Sequence, residues 1–236
     1  MSRLLDELRH TFFPHHCFLC NEMLYPHQRL CENCREKAPY VLPPICEHCG
    51  RSEDECHCGK RRRAFERCIS PFYHKGVAQT GIYTLKGEGY TVTVDGFADE
   101  MAEVVRREYG GIPFDVVTAV PLHKRELAER GFNQAEKLGR ALAKRLHLPY
   151  VSALTKITVT APQKELKAVE RSGNLLGVFD VCADVSGRTI LLVDDVITTG
   201  STLDECAKMM KIFGAVEVYA VTAAAACLSG DEEDAE

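Results

Sequence analysis

The sequence of 236 residues lacks the features of a membrane or secreted protein. No apolar run approaches the roughly 18 residues that a membrane-spanning helix needs. The first five residues are followed by Asp6 and Glu7, and the apolar stretch of a secretory signal is missing. We therefore expect a cytoplasmic protein without a membrane partner.

An excess of positive charge is also missing. Acidic residues number 34 against 29 lysines and arginines, so the formal net charge is −5 and does not demand a nucleic-acid partner. The basic run Lys60–Arg63 has few aromatic neighbours, which argues against a base-stacking platform there. The acids of residues 231–236 predict a solvated, acidic, disordered tail over residues 229–236.

The cysteines are abundant and unevenly placed. Nine of the twelve lie within the first 68 residues. In a chain without a secretory signal, dense cysteines in short pairs indicate metal binding rather than disulfides. The whole sequence is 45% hydrophobic, which is enough for a hydrophobic core. We expect a metal-stapled module over residues 1–75, with a helix over residues 1–13, and an ordinary globular domain over residues 76–228.

Eight cysteines form four close pairs that suit zinc. They are Cys17 and Cys20, Cys31 and Cys34, Cys46 and Cys49, and Cys56 and Cys58. Two such pairs present four thiolates in the tetrahedral arrangement that zinc prefers, so two structural Zn²⁺ ions are expected. Sequential pairing gives the sets 17/20/31/34 and 46/49/56/58. Interleaved pairing, a single filled site, and replacement of a thiolate by His15, His16, His48 or His57 remain open.

The later part of the chain alternates strand and helix patterns. Strands are predicted over 114–120, 189–193 and 216–221, and helices from about residues 97, 133 and 202. In the last helix, Leu203, Cys206, Met210 and Phe213 are predicted to face inward, and Gly214 to end it. Alternation of this kind predicts an α/β fold with a parallel sheet flanked by helices.

The most informative segment follows the strand predicted at 189–193. Its polar residues are Asp194, Asp195, Thr198, Thr199, Gly200, Ser201 and Thr202. Backbone N–H groups at the start of a helix, assisted by hydroxyl groups, bind phosphate, and a glycine lets the backbone approach it closely. The two carboxylates are suited to accept hydrogen bonds from sugar hydroxyls at the carboxyl end of a parallel strand. The alternative is an aspartate-rich strand end before an ordinary capped helix.

This segment resembles the 5-phosphoribosyl-1-pyrophosphate (PRPP) motif of type I phosphoribosyltransferases. Four apolar residues, two acids, two apolar residues and Thr-Thr-Gly-x-Thr occur in the order of that motif. The resemblance implies that Asp194 and Asp195 bind the ribose 2′- and 3′-hydroxyls and that residues 198–202 bind the 5′-phosphate. It also implies Mg²⁺ between the pyrophosphate and ribose oxygens.

A wider pattern is similar to the ComF family of competence-associated, phosphoribosyltransferase-like proteins. The cysteine pairs, Val120-Pro121-Leu122-His123-Lys124-Arg125, Arg130-Gly131-Phe132-Asn133-Gln134 and the PRPP motif occur in that family's order over residues 15–226. The resemblance implies a type I phosphoribosyltransferase fold with an N-terminal double zinc ribbon. Lys124, Arg125 and Arg130 are then candidate cations for pyrophosphate. A solvated basic turn is the alternative.

Two further segments bear on ligand binding. Residues 160–179 are similar to the mobile loop of the family, which implies that Gln163, Arg171 and Asn174 lie in a loop that closes over PRPP. At Leu85-Lys86-Gly87 the family usually has Leu-Lys-Tyr, so an aromatic contact is replaced. Lys86 remains, either to meet phosphate or as a solvated side chain.

The resemblance implies a transferase of the pentosyl-transfer type. A nitrogen nucleophile would displace pyrophosphate at ribose C1, with catalysis by positioning and charge stabilisation and with no residue yet assigned as the base. One alternative is an adaptor that binds PRPP or a nucleotide without turnover. The family resemblance implies another, a DNA-uptake factor that handles single-stranded DNA with a ComF-type helicase partner.

Overall fold

The structure, a computed structural model, describes residues 15–25, 28–56, 58–59, 62–87, 91–157 and 178–227. The helix expected over residues 1–13 and the tail over residues 229–236 lie outside the described residues. So do Gln163, Arg171 and Asn174 of the expected loop. No helix within the described ranges has the length and apolar character needed to span a membrane.

The described residues form nine strands and six α-helices. In chain order these are β1 (His15–His16), β2 (Met23–Leu24), α1 (Glu32–Lys37), β3 (Cys68–Ile69), β4 (Phe72–Tyr73), α2 (Gly76–Gly87), α3 (Thr91–Tyr109), β5 (Val116–Ala119), α4 (Lys124–Arg130), α5 (Gln134–Leu146), β6 (Leu154–Lys156), β7 (Phe179–Val181), β8 (Thr189–Ile197), α6 (Ser201–Ile212) and β9 (Glu217–Ala225).

Five of these strands form a central parallel sheet. Its order is β3-β9-β8-β5, and β4 also pairs with β9. The longest pairing joins β8 to β9, from Thr189 opposite Glu217 to Ile197 opposite Ala225. Two antiparallel pairs, β1 with β2 and β6 with β7, lie outside this sheet. The expected α/β fold with a parallel sheet is therefore confirmed.

Both faces of the sheet are covered because successive side chains of a strand point to opposite sides. Ile190 and Leu192 of β8 pack in a core that includes the apolar side of α6. Leu191 and Val193 pack in a second core with α2, α3 and α5. The fully apolar run of β8 thus reflects burial on two faces, as is usual for a central parallel strand.

Several features differ from the sequence prediction, among them the following. The strand predicted to stop at residue 193 continues to Ile197, because main-chain pairing with β9 goes on past the two acids. Phe213 was expected to face inward, but it is 48% exposed because α6 ends at Ile212 and Phe213 caps it. Finally, β3 and β4 precede residue 75 and already belong to the parallel sheet.

The first cysteine segment packs directly on α3. Phe18, which is 2% exposed, places its ring 5.3 Å from the ring of Phe97 in an edge-to-face arrangement. Gly96 lies below Phe18, and a β-carbon at this position would come closer than 3.0 Å to the Cβ and Cγ atoms of Phe18. The close contact between the segment and the helix therefore requires glycine at position 96.

We expect Gly96→Ala to destabilise the protein by about 1–3 kcal/mol, the usual cost of an overpacked core. For a chain of this size each kcal/mol lowers Tm by roughly 2–4 °C. Thermal unfolding followed by circular dichroism measures the change. Gly111→Ala is the control, because nothing lies within 4 Å of the β-carbon that it adds. Equal Tm values for the two variants would contradict the tight contact at Gly96.

Candidate functional site

Two adjacent carboxylates lie near the carboxyl end of β8, at the edge of the sheet where ligands of α/β proteins bind. Asp195 is 8% exposed, and its Oδ1 accepts a hydrogen bond from the amide of Val196 at 2.7 Å. Asp194 is half-buried, and its Oδ1 accepts from the amide of Asp195 at 2.8 Å. Both side chains are thus held in place by the backbone that follows them.

Two side chains from other helices contact Asp195. Lys86 in the last turn of α2 forms an ion pair with it, with 3.2 Å between Nζ and Oδ2. Gln134, the first residue of α5, donates from Nε2 to the same oxygen at 3.2 Å. Sequence reasoning left Lys86 between two roles and assigned none to Gln134, although both lie in motifs shared with the ComF family.

The surroundings of the carboxylates are electrostatically costly. Burial, and then the negative charge of Asp195, raise the pKa of Asp194 well above its ordinary value of 3.8. Burial and the charge of Lys86 lower the pKa of His74, so this imidazole is neutral at pH 7. Among the described residues, the buried Oε1 of Gln134 and Nε2 of His74 have no hydrogen-bond partner. The site therefore retains unused polar groups.

The segment after β8 forms a loop that opens onto the first turn of α6. Gly200 adopts a left-handed conformation with φ of 77° and precedes the helix. The exposed residues of this segment are Thr198, Thr199, Ser201 and Thr202. The Thr199 and Ser201 hydroxyl groups are 2.9 Å apart, and the Ser201 amide donates to Thr199 Oγ1 at 3.4 Å. Hydroxyls and main-chain amides therefore gather at a helix N-terminus, as the sequence predicts.

The candidate cations near β5 lie on an exposed helix. Lys124, Arg125 and Arg130 all belong to α4, in which no residue is buried. Arg125 pairs with Glu129 at 3.0 Å. No ion pair or hydrogen bond between described residues joins these cations to the β8 carboxylates. They remain candidates for a ligand that extends from the sheet edge.

Asn133 uses its side chain within the fold. Its Oδ1 accepts from the Ala135 amide at 3.0 Å and so caps α5, while its Nδ2 donates to the Val120 carbonyl at 2.9 Å. Both ends of the amide are used within the fold. Asn133 therefore orients α5, and thereby Gln134, toward Asp195.

The eight paired cysteines form two clusters. The first contains Cys17, Cys20, Cys31 and Cys34, and the second contains Cys46, Cys49, Cys56 and Cys58. Within each set the sulfur atoms all lie within 4.8 Å of one another. Pairing is therefore sequential, and among the described residues cysteine alone makes up each set, while His57 lies outside those residues. The amide of Cys34 also donates to the sulfur of Cys31 at 3.4 Å. Four converging sulfurs match the donor set of structural zinc.

Curated relatives cover nearly the whole chain. The DNA utilization protein YhgH of Escherichia coli K12 is 31% identical over 212 residues, which are 86% of this chain and 93% of that protein. Competence protein F of Haemophilus influenzae is 28% identical over 221 residues, covering 88% and 96%. Competence protein ComFC of Bacillus subtilis is 26% identical over 201 residues, covering 80% of both chains.

Two family profiles match the two parts of the chain. The phosphoribosyl transferase domain matches residues 127–235, and the double zinc ribbon domain matches residues 8–69. With the parallel sheet and the two cysteine clusters, these matches define a phosphoribosyltransferase-type protein that carries an N-terminal double zinc ribbon. The relatives, two of them competence proteins, identify it further. The chain belongs to the ComF family.

We expect purified protein to contain two zinc ions per chain by elemental analysis. Cys20→Ser and Cys58→Ser each remove one ligand from a different cluster, so each should reduce the content to about one ion and lower Tm. Cys182→Ser is the matched control, because Cys182 is exposed and belongs to neither cluster. Zinc-free wild type, or zinc loss in the control, would contradict the assignment.

We expect Asp194→Asn to stabilise the ligand-free protein. An acid whose pKa is higher in the folded protein than in the unfolded chain is harder to ionise in the folded protein. It therefore lowers the free energy of unfolding once the pH rises above the pKa that it has in the unfolded chain. The Tm gain should therefore be present at pH 7–8 and absent below about pH 4. Removing an unfavourable electrostatic interaction of about 1 kcal/mol raises Tm by roughly 2–4 °C.

Asp180→Asn is the control for this measurement. Asp180 is exposed, and its Oδ1 accepts from the next amide at 2.8 Å, as that of Asp194 does. It should leave Tm unchanged across the same pH range. If Asp194→Asn lowers Tm at pH 8, the carboxylate stabilises the fold and the electrostatic interpretation is wrong.

Proposed function

We propose that the chain binds PRPP at the carboxyl edge of β8 and transfers its phosphoribosyl group to a nitrogen nucleophile, with release of pyrophosphate. The observation that carries the proposal is the continuous segment from Asp194 to Thr202. It joins two half-buried or buried carboxylates to a phosphate-binding loop at the N-terminus of a twelve-residue helix. A sugar diol and a terminal phosphate fit these two groups in one ligand.

Each described group has a role in this proposal. Asp194 and Asp195 accept hydrogen bonds from the ribose 2′- and 3′-hydroxyls, and residues 198–202 hold the 5′-phosphate. Lys124, Arg125 and Arg130 supply positive charge for pyrophosphate. From the family resemblance, Gln163, Arg171 and Asn174 would belong to the loop that covers the ligand.

The donor set fits Mg²⁺. Asp194 and Asp195 offer carboxylate oxygens, and the buried Oε1 of Gln134 beside them has no partner among the described residues. Hard oxygen atoms of this kind are what magnesium prefers, usually with ligand oxygens completing its shell. When bound with PRPP, the ion would neutralise charge on the pyrophosphate.

The expected reaction breaks the bond between ribose C1 and the pyrophosphate oxygen as the nucleophile approaches. Positive charge develops on the ribose ring in this reaction. Catalysis therefore depends on a fixed orientation of the reactants and on stabilisation of the leaving pyrophosphate, and it does not require a strong nucleophile in the protein. Asp195 is held by Lys86 and Gln134, so the diol would meet a carboxylate that is already oriented. The protein's contribution is therefore placement and electrostatics.

A second candidate function concerns DNA. Relatives are named for DNA utilization and competence, which supports a role for this chain in DNA uptake, with single-stranded DNA and a helicase as partners. Arg63 donates a hydrogen bond to the Thr199 carbonyl, and the exposed Arg62 precedes it in sequence, so the two offer local positive charge near this loop. A cytoplasmic location belongs to the same proposal. This role is compatible with PRPP binding.

Calorimetry with PRPP and Mg²⁺ tests whether the chain binds PRPP, which both a transferase and a non-catalytic adaptor require. Wild type should bind, and the double variant Asp194→Asn with Asp195→Asn should lose at least tenfold in affinity, about 1.4 kcal/mol, because two charged acceptors are lost. Asp180→Asn should bind as wild type does. Absence of binding, or equal binding by the double variant, would overturn the proposed site.

Two further measurements separate the candidate roles. Release of pyrophosphate during a screen of bases and nucleotides identifies transfer, whereas binding without release in every case identifies a non-catalytic adaptor. A gel shift with single-stranded DNA at increasing salt tests direct contact, since phosphate contacts weaken with ionic strength. An absent or salt-insensitive shift would count against DNA binding by this chain.

A further inference from the structure

The second cysteine cluster contacts the phosphate loop through two arginines. Arg51 donates from Nη2 to the Thr198 carbonyl at 2.9 Å and from Nε to the Ala226 carbonyl at 2.8 Å. Arg63 donates from Nη2 to the Thr199 carbonyl at 2.5 Å. Two consecutive carbonyls of the loop are therefore held by one side chain that lies between Cys49 and Cys56 of the cluster in sequence and by one that follows Cys58.

Both contacts lie on one side of the loop. Arg51, Arg63, Thr198 and Thr199 line a single cavity of about 320 Å³, whose other walls include Cys49 and Cys58 of the second cluster. The carbonyls of Thr198 and Thr199 thus point toward the ribbon. Neither arginine reaches the loop through the hydroxyl groups or amides that would bind a phosphate.

Peptide geometry turns this contact into an orientation of the amides. In a planar trans peptide, the carbonyl of one residue and the N–H of the next point in opposite directions. Holding the Thr198 and Thr199 carbonyls toward the ribbon therefore turns the N–H groups of Thr199 and Gly200 away from it. Among the described residues, neither of these two amides donates a hydrogen bond.

We infer that Arg51 and Arg63 are positioning residues that orient the loop amides of Thr199 and Gly200 for phosphate. They act through the carbonyls and do not touch the ligand. The inference rests on the proposed function for the identity of the ligand, and it gives the second cysteine cluster a role at that site. Loading of the cluster and affinity of the loop are thereby coupled.

The link from cluster to loop is short. Arg51 follows Cys49 by two residues, and its carbonyl accepts from the Cys46 amide at 2.7 Å. It is only 2% exposed, so its guanidinium cannot move without disturbing the cluster or the loop. A buried arginine costs free energy unless its donors are used, and here two main-chain carbonyls use them. Arg51 therefore transmits the position of Cys46 and Cys49 to Thr198.

The experiment compares Arg63→Ala with Arg62→Ala. Both remove one positive charge from the same short segment, but only Arg63 contacts a loop carbonyl, and Arg62 is exposed. PRPP affinity in the presence of Mg²⁺ is measured by calorimetry, with zinc content and Tm as checks of folding. The amide signals of Thr199 and Gly200 are recorded by NMR in the ligand-free protein, with and without inorganic phosphate.

Arg63→Ala should weaken PRPP binding about tenfold, the effect of one poorly oriented charge-assisted hydrogen bond. Arg62→Ala should change it less than twofold, and both should keep two zinc ions. Only Arg63→Ala should shift the Thr199 and Gly200 amide signals, and Arg63→Lys, which keeps a donor, should restore them in part. Equal effects of Arg62→Ala and Arg63→Ala on these signals would overturn the inference.

The two proposals fail in different ways. If wild type does not bind PRPP, the proposed function is wrong, while the amide signals of the ligand-free variants still decide whether Arg63 orients the loop. If wild type binds PRPP and Arg63→Ala binds equally well with unchanged amide signals, the positioning role is wrong and the proposed function stands. Arg51→Lys, with its zinc content checked, repeats the test at the second contact.

Discussion

The parallel pairing of β8 with β9 is the constraint on which the rest of the structure depends. It continues from Thr189 to Ile197, past two carboxylates that would be expected to end a strand. Because β9 also pairs with β3 and β4, the same strand connects the cysteine-rich segment to the sheet. One continuous ladder therefore sets where the acids, the phosphate loop and the ribbons lie relative to one another.

The two cysteine clusters are attached to this sheet by different forces. The first packs through Phe18 on Phe97 and belongs to the main apolar core, so its contribution is burial. The second has polar contacts with the sheet edge through the guanidinium of Arg51 and the hydroxyl of Tyr73, which accepts from the Ser52 amide at 2.9 Å. Polar contacts are directional, and this suits a module next to a loop whose backbone orientation matters.

Local patterns were sufficient to predict the strands of the parallel sheet, the two cysteine clusters and the loop between β8 and α6, because each depends on neighbouring residues; phosphate binding by that loop stays a prediction. The partners of Asp195 were not assigned, since Lys86 and Gln134 reach it from helices 109 and 61 residues away. Arg51 gave no signal in sequence, because only the tertiary structure shows that it is buried against the loop. Strands of two residues such as β3 are likewise too short to carry a periodic pattern.

Some polar and charged groups at the ligand-free site lack favourable partners, and their chemistry indicates the kind of ligand that suits the site. Lys86 and Gln134 both contact Asp195. Asp194 still lies beside the negative charge of Asp195, and burial and that charge raise its pKa. Among the described residues, the buried Oε1 of Gln134 has no hydrogen-bond partner. An unsatisfied buried polar group costs about 1–3 kcal/mol, so such groups persist where a ligand completes them. A ribose diol with a divalent cation supplies both hydrogen-bond donors and positive charge. Deoxyribose lacks the 2′-hydroxyl, and within a DNA strand its 3′-oxygen is esterified, so DNA offers no diol to the two carboxylates. Under the proposed function, DNA contacts therefore belong to another surface of the protein, and the β8 edge is reserved for a ribose phosphate.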